Sequence, residues 1–211
     1  MFEAPLTGIR GSAILRPLEP WRAEEFATHM DRAREHIRPW VGPSFVTDDV
    51  DGARATLQRY ADATARDGNR IFGIWADDSV VEPPLVVEPV ETTPTPTLVG
   101  GVMFVEFSAA AGTCEIGCWL EPSAEGRGLI TAACRMLLSY AFEQRSLHRA
   151  EWRCRADNAR SSAVAERLGM TLEGVLREAW KVGDTFHDKQ VWSILAGEFS
   201  PFSPTNIDDR R

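Results

Sequence analysis

The densest chemical signal in this chain is the run EIGCWLEPSAEGRGLIT at 115–131. It reads as a strand, a proline-containing turn, a glycine-containing loop and the start of a helix. Gly126 and Gly128 let the backbone come close to a ligand in conformations that other residues resist, so that successive amides can converge on one anion. The following helix start adds free N–H groups and a positive dipole end. A pyrophosphate fits such a nest, and the same two glycines fit a plain tight turn into a helix. Two other phosphate motifs are excluded. The dinucleotide fingerprint G-x-G-x-x-G has Thr131 in its last place with Pro122 intervening, and a Walker A loop would need lysine where Ile130 stands.

The second signal is DNARSSAVAERLGM at 157–170, directly after RAEWRCR. Asn158 suits the N-cap of the helix it precedes, with Ser161 and Ser162 in its first turn. Capping accounts for Asn158 and one serine. It does not account for a second helix start arriving after a strand that would lie beside 112–121, which brings Ser161 near the same loop.

These groups need a scaffold, and the rest of the chain supplies one. Strands are expected at 9–18, 70–76, 98–107, 112–121, 149–155, 170–181 and 185–197, with Val182-Gly183-Asp184 turning the last pair. Helices are expected at 20–37, 48–67, 127–145 and 159–168, with Ile130, Cys134, Leu137 and Ala141 forming a buried stripe on the third. The order β-α-α-β-β-β-α-β-α-β-β describes an α/β (α+β) sandwich on a mostly antiparallel sheet. Residues 1–199 are read as one domain, interrupted at 77–97 by a proline-rich, acidic insertion and followed by a polar tail at 200–211.

Composition narrows the class of function. The 211 residues are 44% hydrophobic, enough for one sizeable core. Thirty-one acidic against 23 basic side chains give a net charge of −8. That balance argues against a nucleic acid or an anionic membrane as partner. The N-terminus has no basic region followed by an apolar run, and no 18 apolar residues are consecutive, so a cytoplasmic protein is expected. Cys114, Cys118, Cys134 and Cys154 form no CxxC pair and read as reduced core thiols, with no metal site.

The run E-I-G-C-W-L-x-P-x-x-x-G-R-G-L-I-T-x-A-C resembles the acetyl-CoA motif of GNAT N-acetyltransferases in its RimJ/RimL form. N-A-R-S with A-x-x-E-R-L-G-M resembles the next motif of that group, and R-E-H-I-R-P-W at 34–40 and G-D-T-F-H-D-K-Q-V-W at 183–192 extend the likeness along most of the chain. Two departures stand out. Glu125 and Ile130 occupy the first and last places of the general Gln/Arg-x-x-Gly-x-Gly/Ala pattern, and Gly169-Met170 replaces the usual Gly-Phe.

The resemblance implies a GNAT fold, with the sheet splayed between 112–121 and 149–155 and acetyl-CoA as co-substrate. Pantetheine would lie against Cys118, Trp119 and Leu120, and the pyrophosphate against the amides of Glu125, Gly126, Arg127, Gly128, Leu129, Ile130 and Thr131. Asn158 would hydrogen-bond the pantetheine side. Glu115, in the acidic place of the E-I-G motif, is the candidate base, and Ser161 the candidate proton donor to the leaving thiolate. Each has a plainer reading, Glu115 as a solvated strand carboxylate and Ser161 as a first-turn helix residue. Arg34, His36 and Trp40 fall in the region that shapes the acceptor side, where His36 also reads as a surface histidine. The implied reaction is acetyl transfer to a primary amine, with a protein N-terminus such as a ribosomal one preferred and a homodimer possible. Acetylation of a polyamine or an antibiotic, or acyl-CoA binding without turnover, are the alternatives.

Overall fold

The computed structural model describes residues 3–42, 45–77 and 95–200, so most of the 77–97 insertion and the 200–211 tail lie outside the described residues. The strands are β1 (Ala4–Pro5), β2 (Ala13–Pro17), β3 (Arg70–Ala76), β4 (Thr97–Ser108), β5 (Thr113–Leu120), β6 (Arg149–Arg155), β7 (Thr171–Val182) and β8 (Thr185–Leu195). The helices are α1 (Ala23–Ile37), α2 (Val50–Ala65), α3 (Leu129–Ser139) and α4 (Ala159–Arg167).

Local sequence explains most of the helix ends. Pro20 opens a short 3-10 turn ahead of α1, which buries Phe26, Met30, Ala33 and Ile37 along one stripe. Asp49 caps α2 by accepting from the Gly52 amide at 2.7 Å. At the far end Asp67 (φ 61°), not Gly68, takes the left-handed turn. Its carboxylate is held there by Arg70 and Arg145, and those ion pairs offset the strain. The third helix is shorter than its apolar stripe suggested, because Tyr140–Gln144 relax into a π turn before β6.

The first strand differs from expectation. Residues 9–12 leave the sheet, with Gly8 (φ 70°) and Gly11 (φ 76°) bending the chain, and pairing begins only at Ala13. The cause is tertiary. The buried Arg127 side chain lies so close to Gly11 that a Cβ there would stand 2.9 Å from Nη2.

The eight strands of the described residues join one sheet in the order β1-β2-β3-β4-β5-β6-β8-β7. Every neighbouring pair is antiparallel except β5 with β6, whose crossover runs through α3. The strands separate two cores. One lies under α3 and α4 and includes Leu15, Val102, Phe104, Ile116, Leu137 and Trp152. The other lies under α1 and α2 and includes Phe26, Met30, Leu57, Trp75, Met103 and Trp119.

The parallel ladder is short. It pairs Thr113–Ile116 with Arg149–Trp152 and then stops, although β5 runs on to Leu120 and β6 to Arg155. Each strand continues to pair on its outer side, β5 with β4 and β6 with β8. The two halves of the sheet are therefore held apart at a gap whose inner backbone edges have no strand partner among the described residues.

Candidate active site

The gap opens into a cavity of about 890 Å³. Its walls come from the unpaired ends of β5 and β6, the loop before α3, the first turn of α4 and the segment after α1.

The loop before α3 is built to present amides. Gly126 (φ 73°) and Gly128 (φ 84°) both adopt left-handed conformations, and Gly128 is the N-cap of α3. The Glu125 amide is already used, donating to the Pro122 carbonyl at 3.2 Å. The first intrahelical bond of α3 comes from Ala132 to the Gly128 carbonyl at 3.0 Å, which leaves the N–H groups of Leu129, Ile130 and Thr131 unspent. The available donors therefore run from Gly126 to Thr131.

A second helix start faces the same space. Asn158 Oδ1 accepts from the Ser161 amide at 3.1 Å, so the cap uses the oxygen of that side chain and Nδ2 remains for other partners. Ser161 Oγ accepts a hydrogen bond from the indole of the buried Trp152 at 2.9 Å, which fixes the hydroxyl oxygen without consuming its proton. Ser162 turns away and donates to Gln190 at 2.7 Å.

Glu115 lies on the α1/α2 side of the sheet, one rung before the ladder ends. It is paired in register with Glu106 of β4 and Glu151 of β6. Arg153 Nη1 stands 3.3 Å from its Oε2. Burial pushes the Glu115 carboxyl above the usual range, opposed by Arg153 and assisted by Glu106 and Glu151, with Lys189 again opposing. Two residues on, Gly117 lets Val105 close over the strand face, since a Cβ there would meet Val105 Cγ2 at 2.8 Å. Tyr60, Met103, Val105 and Phe45 continue the wall as an apolar pocket.

Charged groups span the mouth. Glu125 Oε1 accepts from Arg160 at 2.7 Å and lies 2.8 Å from His36 Nε2, linking the loop before α3 to α4 and to the end of α1. A carboxylate beside an anion nest would repel a phosphate, and this pairing draws it towards the Arg160 guanidinium instead. Behind the cavity wall, Arg155 forks onto Asp157, donates to the Pro39 carbonyl at 3.1 Å and packs over the Trp40 ring at 4.6 Å. It thereby ties the segment after α1 to the end of β6.

The matching family model, described as Acetyltransferase (GNAT) domain, covers residues 13–171. The chain belongs to the GNAT acetyltransferase family. It is 30% identical over 185 residues to the Bacillus subtilis (strain 168) protein named "Putative ribosomal N-acetyltransferase YdaF", covering 88% of this chain and 92% of that one. It is 29% identical over 153 residues to the ribosomal-protein-serine acetyltransferase of Escherichia coli (strain K12), covering 72% and 75%. In fold it resembles RimL, the ribosomal L7/L12 alpha-N-protein acetyltransferase solved with coenzyme A, at TM-score 0.76 and 19% identity over 92% of this chain and 98% of that one.

GNAT enzymes take the acetyl group from acetyl-CoA, and the donor set fits that co-substrate. A strand edge with unused backbone groups suits the amides of pantetheine, and a run of six amides from Gly126 to Thr131 suits a pyrophosphate. Of the residues expected from sequence, the cavity wall gathers Glu115, Cys118, Trp119, Leu120, Glu125, Gly126, Gly128, Leu129, Ile130, Thr131, Asn158 and Ser161. Trp119, Leu129 and Ile130 send their side chains into the cores, so backbone is what they offer. Arg127 is turned away from the cavity, its guanidinium directed at the carbonyls of Arg10, Ser12 and Asp77. Arg34 is also elsewhere, pinning the Thr47 carbonyl at 2.9 Å.

Sequence reasoning missed Arg153, Glu106, Arg160 and Trp152. Arg153 had a signal, because alternation in RAEWRCR puts Arg149, Glu151 and Arg153 on one face. Glu106 had none. A bulge at Val105 turns it to the face of Glu115, and nothing in the residues around it announces that bulge.

Proposed function

We propose that the acceptor is a protein N-terminal α-amine, that Glu115 is the general base and that Ser161 protonates the departing thiolate. The observation that carries this reading is the place of Glu115. It is a carboxylate with raised proton affinity, one rung before the point where the sheet opens and in the wall of the cavity. An amine entering the cavity meets Glu115 on the wall at β5 and, on the wall at α4, the hydroxyl held by Trp152.

An α-amino group with a reference pKa of about 7.7–8.0 is partly neutral near pH 7, so a carboxylate acting directly or through one water suffices to remove its proton, whereas a lysine amine near 10.4 needs far more help. The family relation to enzymes named for ribosomal proteins supports an N-terminal acceptor. Acetyl-CoA supplies the activated acetyl group when bound. Asn158 Nδ2 and the free edges of β5 and β6 hold its pantetheine arm, and the amides from Gly126 to Thr131 hold its phosphates.

The same reading gives a cytoplasmic location and a homodimer. The latter rests on β7, an edge strand with exposed Leu172, Val175 and Leu176, beside the exposed Phe186 of β8. Light scattering of the purified chain checks it.

The activity is tested by incubating the protein with acetyl-CoA and a panel of N-terminal peptides, polyamines and aminoglycosides while following free thiol. Thiol release with peptides alone is expected. Release only with a polyamine or an aminoglycoside would move the chain to small-amine acetylation, and acetyl-CoA binding without release on any acceptor would make it a binding module.

A further inference from the structure

Arg127 stands between two left-handed glycines in the phosphate loop, where a cation would be expected to reach for an anion. It does the opposite. The residue is 9% exposed and its guanidinium points behind the loop. Nε donates to the Arg10 carbonyl at 3.2 Å, Nη1 to the Asp77 carbonyl at 3.2 Å and Nη2 to the Ser12 carbonyl at 3.5 Å. The Arg127 carbonyl in turn accepts from the Arg10 amide at 3.0 Å. Gly11 accommodates the guanidinium, since a Cβ at that position would lie 2.9 Å from Nη2, and Gly11 itself has φ 76°. Ser12 Oγ donates to the Asp77 carboxylate, closing the cluster from the other side.

Two glycines in succession of type are a liability as well as an opportunity. They permit the curled backbone of an anion nest, and they leave that backbone free to take many other shapes. A fork with several donors, fixed on carbonyls of two other segments, removes that freedom at the centre of the loop.

We propose that Arg127 is a positioning residue for the co-substrate phosphates. It shapes the nest from behind by clamping it to residues 10–12 and to the end of β3, and does not itself touch the phosphate. The inference rests on the reading of this cavity as the acetyl-CoA site. It also assigns a role to Gly11 and Ser12, which lie outside the cavity wall.

The test compares acetyl-CoA with S-acetyl-N-acetylcysteamine, an acetyl thioester without pyrophosphate, and measures CoA affinity by calorimetry. In Arg127→Met the ratio of kcat/KM for acetyl-CoA over that for the short thioester should fall about tenfold, carried by KM for acetyl-CoA, with CoA affinity falling to match. Arg127→Lys should behave like Arg127→Met, because one ammonium cannot reach three divergent carbonyls. Gly11→Ala, whose Cβ presses directly on the guanidinium behind the loop, should lower the same ratio, and the Gly11→Ala/Arg127→Met double variant should show the same ratio as Arg127→Met alone, whatever the strained φ at position 11 costs in stability.

Full activity in Arg127→Lys together with loss in Arg127→Met would mean a cation contacting phosphate, and would overturn the clamp. Equal losses with both thioesters would mean general damage to the fold, with the same consequence, and Gly11→Ala gives the comparison if the Arg127 variants do not fold. Wild-type protein that binds no CoA would sink the cavity reading, and this inference with it.

Discussion

Glu115 sits between opposing influences whose balance is measurable. Burial and the neighbouring Glu106 and Glu151 raise its proton affinity, while Arg153 and Lys189 lower it. A base works only when deprotonated, so a raised pKa moves the acid limb of kcat/KM to higher pH than an ordinary carboxylate would give. Removing Arg153 takes away a lowering influence, so Arg153→Met should shift that limb further upward. Glu115→Gln should reduce kcat/KM by about 10²-fold, with part of the loss recovered as pH rises and the amine deprotonates without help. Ser161→Ala should cost less, because a thiolate with a reference pKa of about 8.5 is already a fair leaving group. A pH–rate profile of the four proteins with one peptide acceptor decides, and an unchanged profile for Glu115→Gln between pH 6 and 9 would remove it as the base. At this scale the sequence pointed to Glu115, Asn158 and Ser161, and the structure brings all three to the wall of one cavity. The sequence was silent on what tunes them, because Glu106 and Arg153 reach Glu115 through a bulge and a strand pairing that join residues far apart in the chain.

At the scale of elements, the cavity depends on two helix starts and on close strand contacts that hold each half-sheet rigid. Asn158 contributes its cap to α4, and Asn158→Ala should lower stability by about 1 kcal/mol while also raising KM for acetyl-CoA. Gly101 is the tighter constraint. A Cβ there would stand 2.2 Å from both the Phe72 carbonyl and the Trp119 ring, on β3 and β5 respectively. Gly101→Ala must therefore force β4 away from its neighbours, and it should sharply lower the melting temperature or prevent folding, whereas Gly174→Ala, with nothing within 4 Å, should not. Circular dichroism melts of the two variants make the comparison, and equal melting temperatures would contradict the packing. The strands at 70–76 and 149–155 were legible to the residue because apolar runs and alternation coincide with their burial. The first strand was not, since IRGSAILRPL reads as extended, whereas its first half turns out of the sheet at Gly8 and Gly11 to meet the distant Arg127.

The whole molecule is organised around one sheet, and the long segment between β3 and β4 interrupts its sequence more than its geometry. Ala76 and Thr97 are register partners in an antiparallel pair, so the chain leaves and rejoins the sheet at the same rung. A hairpin at that rung needs about 2–5 residues. Replacing residues 78–94 by Asn-Gly leaves Asp77, the two new residues, Thr95 and Pro96 between the partners, which is within that range. Asp77 is kept because its carbonyl is one of the three that Arg127 holds. The replaced stretch is rich in proline and acidic residues, a composition that buries little apolar surface. The shortened protein should therefore fold, melt within a few degrees of the full chain and bind acetyl-CoA with unchanged affinity. Failure to fold would mean that 78–94 packs on the core. A variant that folds and binds acetyl-CoA but no longer acetylates a peptide that the full chain acetylates would make the segment part of acceptor recognition, and calorimetry beside the thiol-release assay separates the two outcomes.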